Sequence, residues 1–540
     1  MAAVLSSLRA ADEVLSGAFD HAFAPAHNPW RHLGALAFLC LMSCVASGIV
    51  AYALYDTSVA GAYASGLRLQ NDPLLLGRLL RGVHRYGADA FMLLTLAHLL
   101  REGVRGHFRG VRWYSWLTGI PLLFLLWLAG ITGLWLLWDE RALFSVTAMA
   151  EWLQALPLGA ELLARNFLTP EALGDRFFSL IMFVHIGLPL LLLAATWIHV
   201  QRVSLPRMWP PRSLTIATLG TLALLALMQP ATSLGPADTG HVAAQLSLDW
   251  FYLLVHPLVN ALSAQAVWWL VAALTLVLAV LPLWRVPRSL KRASARVDLA
   301  NCNGCGRCVV DCPFGAVVMV PRTDQSRHPS SLSDSEGTPV APTGTVRHAA
   351  RQALVNADLC AACGICVGSC PSATPFRRIE DMVSGIEMPD APMAALRREL
   401  RQKIASLSGP HPVVLFSCRQ AADCTQMANA TTAVMALECA AMLPPSFIEY
   451  ALRLGAEGVA VAGCREGDCE FRLGDRWLQQ RLAGLREPQL RASVNREQIE
   501  VQWAGSDMLG VQAALARLRL RLTSQATWSP PAPLKESEHD

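Results

Sequence analysis

VHRYGADAFMLLTLAHLLR, residues 83–101, is a largely apolar, proline-free run that places two histidines, His84 and His98, fourteen residues apart. A second run, VHIGLPLLLLAATWIH (residues 184–199), repeats the spacing with His185 and His199. Fourteen residues are about four helical turns, so each pair shares one face at positions roughly 21 Å apart along the axis. Both runs are apolar enough to cross a membrane, where an ionisable side chain needs a partner or a function. They are the second and fourth apolar segments, so they run in the same direction. His84 is therefore expected to face His185 near the outer side, and His98 to face His199 near the inner side. Two stacked pairs of neutral imidazoles are axial ligands for two haems. Gly34 and Gly48, and then Gly119 and Gly133, repeat the same fourteen-residue interval in the first and third segments. A glycine there lets a flat macrocycle approach the helix backbone.

The rest of the composition fits a membrane chain. The 540 residues are 53% hydrophobic and 16% charged, too apolar for a soluble protein of that length. Six segments reach the roughly 20 apolar residues of a span: 33–55, 79–100, 115–137, 178–200, 213–230 and 264–284. Residues 1–32 hold Asp12, Glu13, Asp20 and several histidines and do not read as a secretory signal. An even number of spans puts both ends on one side, and loop charge selects which. Arg101, Arg105, Arg109 and Arg112 join the second and third spans. Arg202, Arg207 and Arg212 join the fourth and fifth, and RVPRSLKRASAR follows the last. The opposite loops carry Asp139, Glu140, Glu151, Glu161, Glu171 and Asp238. Both termini are therefore expected in the cytoplasm.

Thirteen of the 15 cysteines lie beyond residue 300, in close-set groups that suit metal sites and a reducing compartment. CNGCGRCVVDCP supplies Cys302, Cys305, Cys308 and Cys312; CAACGICVGSCP supplies Cys360, Cys363, Cys366 and Cys370. In this spacing the fourth cysteine serves the other cluster. One [4Fe-4S] cluster is thus expected on Cys302, Cys305, Cys308 and Cys370, the second on Cys360, Cys363, Cys366 and Cys312. Cys418, Cys424, Cys439, Cys464 and Cys469 remain, whereas Cys40 and Cys44 read as helix-packing residues. Residues 411–418 and 458–464 look like buried strands around a helix near 446–455, an α/β pattern.

The four histidines, the four glycines, GRLLRGVHR and GITGLWLLWDE together resemble cytochrome b of the respiratory and photosynthetic bc complexes, over about residues 1–285. The resemblance implies that Arg81 pairs with a haem propionate. It also implies an outer quinone site at Leu248-Asp249-Trp250-Phe251, where the family has Pro-Glu-Trp-Tyr; Asp249 takes the carboxylate position beside Trp250. The chain departs from that motif at three of four residues. It carries neither a Rieske-type cluster motif nor a C-x-x-C-H haem attachment site. The two four-cysteine motifs resemble bacterial two-cluster ferredoxins. VAGCREGDCEFRLGDRWLQQR is similar to the delta subunit of methyl-viologen-reducing hydrogenase, whose domain carries a [2Fe-2S] cluster. That likeness implies Cys418, Cys439, Cys464 and Cys469 as ligands, with Cys424 as the alternative.

The expected architecture is multi-domain. An all-α transmembrane haem-binding bundle of six helices comes first, with four spans in residues 1–208 and two in 209–289. An α+β two-[4Fe-4S] ferredoxin domain follows at 290–385, with a polar insert at 322–349. A small α/β [2Fe-2S] domain at 405–525 precedes a disordered tail at 526–540. The expected cofactors are two haem b, two [4Fe-4S] clusters and one [2Fe-2S] cluster, with quinone as substrate. The expected function is a membrane-anchoring subunit carrying electrons between a cytoplasmic redox partner and the quinone pool. It would be the quinone-reacting subunit of an oxidoreductase complex rather than an enzyme alone. That partner would be a flavoprotein, a formate dehydrogenase, a hydrogenase or a heterodisulfide-reductase-like protein. No nucleic-acid partner is expected, and a homodimer through the cytochrome b part is a further expectation. The expected location is the cytoplasmic (inner) membrane of a prokaryote. The alternatives are a bc-type quinol-oxidising subunit and a non-catalytic redox sensor or assembly anchor.

Overall fold

The computed structural model describes residues 2–156, 173–240, 245–249, 251–283, 292–322, 350–377 and 382–524. It divides into two compact units: Met1–Arg202 with Pro206–Arg285, and Val286–Asp540 with Val203–Leu205.

The first unit is built of helices joined by turns and loops, with no strand among its described residues. All six expected segments are helices: α2 (Leu33–Ala53), α4 (Leu76–Val104), α5 (Trp113–Trp135), α7 (Asp175–His199), α8 (Arg212–Met228) and α10 (Ala264–Val280). Beside these six expected spans the unit holds further helices. α1 (Ala2–Phe23), α3 (Val59–Gln70), α6 (Glu140–Gln154) and α9 (Val255–Leu262) are added among the described residues. Their polar faces or short length hid them from a search for long apolar runs. Among the described residues four helices have the length and composition to cross a membrane: those at Leu33–Ala53, Gly110–Trp135, Asp175–His199 and Ala264–Leu283. α8 is 17 residues, roughly 25 Å long. α4 has 29 residues but carries Arg78, Arg81, Arg85 and Asp89 in its first half and Arg101 and Glu102 at its end.

Helices pair through small residues. α2 packs along α4 and α5 along α7, the two pairings that matter for the histidines. A Cβ on Gly87 would stand 3.1 Å from the Cys44 sulfur, and one on Gly82 would stand 2.4 Å from the Ala226 methyl. The close α2–α4 and α4–α8 approaches therefore depend on these glycines. The central core joins Leu41, Met92, Leu126, Ile131, Leu134, Leu192 and Tyr252. Asp139 caps α6 through Ala142 and accepts a second hydrogen bond from the Leu234 amide, which pins the segment after α8.

The second unit begins with an α+β region of internal twofold repetition. β1 (Arg296–Val297) pairs antiparallel with β4 (Ile386–Glu387), and β2 (Val317–Pro321) with β3 (Arg351–Val355). Two short helices, α11 (Arg307–Asp311) and α12 (Ile365–Gly368), occupy matching places after the first two cysteines of each four-cysteine motif. Gly306 and Gly364 precede them at φ +74° and +75°, a left-handed turn that disfavours side chains with a Cβ. Of the expected polar insert, Arg322 is described and donates to the Cys302 carbonyl, so it belongs to the folded region. The remainder of that insert and the expected disordered tail lie outside the described residues.

The C-terminal part is α/β. Its parallel sheet has the order β6–β5–β7–β8, with β5 at Val413–Cys418, β6 at Thr432–Leu437, β7 at Gly458–Ala462 and β8 at Ile499–Gln502. Every residue of β5 and β7 is buried, as a parallel sheet covered on both faces requires. α13 (Met393–Ala405), α14 (Pro445–Arg453), α15 (Gly474–Leu482) and α16 (Met508–Ser524) complete it. Val511, Leu515, Leu518 and Leu522 of α16 pack on Val413, Leu415 and Ala460 of the sheet.

Candidate functional site

The two histidine-bearing helices bring the expected pairs together. The His84 and His185 rings lie with centroids 6.2 Å apart and planes inclined by 64°. Two imidazoles on one metal, each with a bond of ~2 Å and a further ~1.1 Å from nitrogen to ring centre, place their centroids ~6.2 Å apart. The pair therefore has the separation of ligands to a shared iron. His98 and His199 lie within electrostatic reach of one another at the other level.

The ring orientation is set by the glycine-bearing helices. His84 Nδ1 stands 3.0 Å from the Cys44 carbonyl and 3.1 Å from Ser47 Oγ. His185 Nδ1 stands 3.1 Å from the Ala129 carbonyl and 3.2 Å from Thr132 Oγ1. His199 Nδ1 stands 3.2 Å from Thr118 Oγ1 and is held by the Ser115 carbonyl. A carbonyl only accepts, so Nδ1 carries the proton and Nε2 keeps its lone pair for a metal. The carbonyl always comes from four residues before a glycine and the hydroxyl from the residue just before it: Ser47-Gly48, Thr118-Gly119 and Thr132-Gly133. This hydroxyl-glycine signal is visible in the sequence, and sequence reasoning missed it.

The glycines clear space for the imidazoles themselves, rather than only for a macrocycle as the sequence reading held. A Cβ would meet His185 Cε1 at 2.9 Å from Gly133, His84 Cε1 at 3.0 Å from Gly48, His199 Cε1 at 3.3 Å from Gly119 and His98 Cε1 at 3.5 Å from Gly34. His98 differs from the other three. Leu33, the first residue of α2, precedes Gly34, and four residues before that glycine Trp30 belongs to a 3-10 turn. Instead, His98 lies within electrostatic reach of Glu102, Arg101 and His107. The Glu102 carboxylate is in turn 2.6 Å from His107 Nδ1 and 3.5 Å from the Arg112 guanidinium.

Two residues expected to touch ligands are engaged by protein groups. Arg81 donates to the Gly66 carbonyl (2.9 Å), Gln70 Oε1 (3.0 Å) and Ser233 Oγ (2.7 Å). Asp249 is buried, accepts from the Phe251 and Tyr252 amides at 3.1 and 2.8 Å, and forms an ion pair with Arg85. Arg85 also holds Asp89 at 2.8 Å, and the Tyr252 hydroxyl donates to the Ala88 carbonyl. Trp250 lies outside the described residues.

In the second unit, Cys302, Cys305, Cys308 and Cys370 line one cavity of about 300 Å³ including its mouth, closed by Gly304, Gly306, Met319, Ala353 and Ile386. Burial pushes the Cys308 thiol up to about 12, with Cys370, Cys305 and Cys302 adding to the rise. Burial also pushes Cys366 well up, and Cys363, Cys312, Cys360 and Cys308 add to it. The fourth cysteine of each motif thus joins the first three of the other. Four converging thiols are the donor set that a [4Fe-4S] cluster takes. Among the described residues no three His, Cys, Asp or Glu side chains are placed around a single metal ion. Ligands spread around a four-iron cube stand further apart than ligands of one zinc.

Four of the last five cysteines also converge. Cys418 and Cys464 sulfurs are 3.9 Å apart, and the free thiols of Cys439 and Cys464 are each hydrogen-bonded to that of Cys469. The Cys469 contact and burial push Cys439 well up. Gly474 opens the floor of this site, since a Cβ there would stand 2.3 Å from the Cys439 sulfur and 3.0 Å from that of Cys469. Asp475 accepts the Gly467 amide and closes the loop between Cys464 and Cys469 from behind. Cys424 is elsewhere, in the core beneath the sheet, donating to the Ala422 carbonyl at 3.4 Å.

Comparison with known proteins agrees with this order of parts. Family models match at residues 19–204 (cytochrome b/b6/petB), 301–374 (4Fe-4S dicluster domain) and 413–517 (methyl-viologen-reducing hydrogenase, delta subunit). The chain is 32% identical over 174 residues to cytochrome b6 of Euglena gracilis, covering 31% of this chain and 79% of that protein. It is 29% identical over 177 residues to cytochrome b6 of Prochlorothrix hollandica, covering 32% and 79%. A solved hyperthermophilic respiratory Complex III chain aligns with 46% of this chain and 74% of its own length, at 21% identity and a TM-score of 0.39. Through its N-terminal helices the chain belongs to the cytochrome b family, extended by a 4Fe-4S dicluster domain and a hydrogenase delta-subunit domain.

Proposed function

We propose that this membrane electron-transfer protein is an anchoring subunit that passes electrons between a cytoplasmic redox partner and the quinone pool. When bound, two haem b, two [4Fe-4S] clusters and one [2Fe-2S] cluster supply its one-electron carriers. The observation that carries the reading is the 6.2 Å separation of the His84 and His185 rings, with Nδ1 of each held by a carbonyl, in one chain with three cysteine sites. His84 and His185 hold the outer haem; His98 and His199 hold the inner one. Cys302, Cys305, Cys308 and Cys370 hold the first [4Fe-4S] cluster, and Cys360, Cys363, Cys366 and Cys312 the second. Cys418, Cys439, Cys464 and Cys469 hold the [2Fe-2S] cluster, and Cys424 packs the core.

The arrangement favours quinone chemistry at the inner level. Asp249, the counterpart of the family's outer-site carboxylate, already serves two backbone amides and Arg85. A carboxylate so engaged is committed to holding the fold rather than turned towards a quinol. The arginine-rich loops favour a cytoplasmic side for the iron–sulfur domains, and the reading sets the chain in the inner membrane of a prokaryote. The third domain supplies the docking face for the redox partner, as its hydrogenase likeness suggests.

The test uses the purified full chain in detergent. Two haem b and about ten irons of cluster origin per chain are expected. After chemical reduction of the clusters, the chain should reduce a short-chain quinone analogue, and His98→Ala should abolish that reaction. A chain that assembles all its groups and never reduces a quinone analogue would refute the reading.

A further inference from the structure

The joint between the ferredoxin domain and the C-terminal domain is built on Arg481, the largest fully buried side chain among the described residues. It sits on α15, seven residues after Gly474. Its guanidinium donates to the Ala441 carbonyl at 2.8 Å, two residues beyond Cys439. It lies 3.4 Å from the carbonyl of Ile365, the neighbour of Cys366, and forms an ion pair with Asp311, the neighbour of Cys312. Asp311 is 2% exposed and also pairs with Arg486, which lies 3.5 Å over the Trp477 ring. The Trp477 indole donates to the Asp311 backbone carbonyl at 3.1 Å. Gly368 leaves the room: a Cβ there would meet the Ala441 carbonyl at 2.1 Å and Arg481 Nη1 at 2.7 Å. Cys363 and Cys439 are close enough for each to bear on the other's charge.

One carboxylate therefore stands against two guanidiniums between the second [4Fe-4S] site and the [2Fe-2S] site. The net charge is one positive, buried where little water screens it. A positive charge beside a cluster favours the added electron and raises its reduction potential. We propose that Arg481 is a positioning and potential-setting residue. It fixes the [2Fe-2S] site against the second [4Fe-4S] site and holds that [4Fe-4S] cluster at a higher potential than its thiolates alone would give. This rests on the cysteine assignments proposed above. The Cys312–Cys366 cluster is then the partner with which the C-terminal cluster exchanges electrons.

Two substitutions of opposite charge test it, in the purified full chain, by redox titration followed by electron paramagnetic resonance. Arg481→Gln takes the junction to net zero, and Asp311, still paired with Arg486, is not stranded. The second [4Fe-4S] cluster should become at least tenfold harder to reduce, a fall of 59 mV for one electron. Asp311→Asn takes the junction to net plus two and should shift the same cluster upward by a similar factor. Arg481→Lys keeps the charge and should stay near the wild type. A merely structural role would move both charge variants the same way or not at all, and either result overturns the proposal. If Arg481→Gln fails to assemble the cluster, the sign of the Asp311→Asn shift decides alone. Iron and sulfide content of the wild-type chain separates the two readings. Missing clusters would sink the ligand assignment and this inference together, whereas full clusters with unmoved potentials sink only the inference.

Discussion

The four glycines facing the histidines offer a graded perturbation. Replacing each by alanine adds one methyl at a position already defined by the backbone. The new carbon would lie 2.9 Å from the ring at Gly133, 3.0 Å at Gly48, 3.3 Å at Gly119 and 3.5 Å at Gly34. Carbon atoms pack comfortably at about 3.5–4.0 Å. Gly133→Ala therefore asks the His185 ring to retreat by more than about half an ångström, whereas Gly34→Ala asks nothing of His98. Metal–ligand bonds tolerate only about ±0.2 Å, and the His185 ring is tethered to the Ala129 carbonyl. The strain cannot be relieved by a small rotation. Overpacking a tight site costs about 1–3 kcal/mol, or roughly fivefold to 150-fold in affinity. Haem per chain, from alkaline pyridine spectra, and redox difference spectra resolving the two sites would measure it. Gly133→Ala and Gly48→Ala should deplete the outer haem, Gly119→Ala should weaken the inner one, and Gly34→Ala should leave both. If Gly34→Ala emptied its site as fully as Gly133→Ala, ring clearance would not be what these glycines provide.

Three further outcomes follow from other sites. His98→Ala should remove the inner haem while every iron–sulfur resonance signal persists; full occupancy of both haems would overturn the pairing of His98 with His199. Gly474→Ala pushes a methyl to within 2.3 Å of the Cys439 sulfur, so iron content should fall by about two per chain with both [4Fe-4S] signals kept. Asp249→Asn breaks the ion pair with Arg85 and should lower thermal stability by about 1–3 kcal/mol, measured by thermal melting in detergent. Electron delivery to a quinone analogue should be unchanged, and a hundredfold loss would show that this carboxylate works in the reaction.

Much of this was legible in the chain because the informative residues carry their geometry in their spacing. Fourteen residues bring a helix back to nearly the same face, so His84 and His98 declared two levels on their own. The four-cysteine motifs likewise encode a loop that wraps a cluster, and β5 and β7 announce themselves as continuous apolar runs. Shorter or two-faced elements were not legible. α3 and α6 have polar faces and no long apolar window, and β6 (TAVMAL) is mixed enough to read as helix or strand. Arg85 reads as a charge beside a haem ligand, and only the fold shows that it answers Asp249, 164 residues on. Arg481 was one arginine among many at the end of α15. Its role depends on Asp311 arriving from 170 residues away, and no local pattern records that meeting.

The asymmetry at His98 connects the two halves of the argument. Three histidines borrow a carbonyl from the helix that faces them, which fixes ring and tautomer by backbone alone. The helix facing His98 starts one residue before Gly34, too late to offer that carbonyl. Glu102 lies one turn on from His98, on the same face of α4, and belongs to a network with His107 and Arg112. A carbonyl gives an imidazole a fixed dipole, whereas His98 stands beside a cluster of charged groups. The proposed quinone reaction at the inner level rests on that difference, since a reaction that moves charge is served by charged groups beside the haem ligand. The outer level, with Asp249 tied to Arg85 and both rings locked to carbonyls, is built to hold a haem and keep its surroundings still.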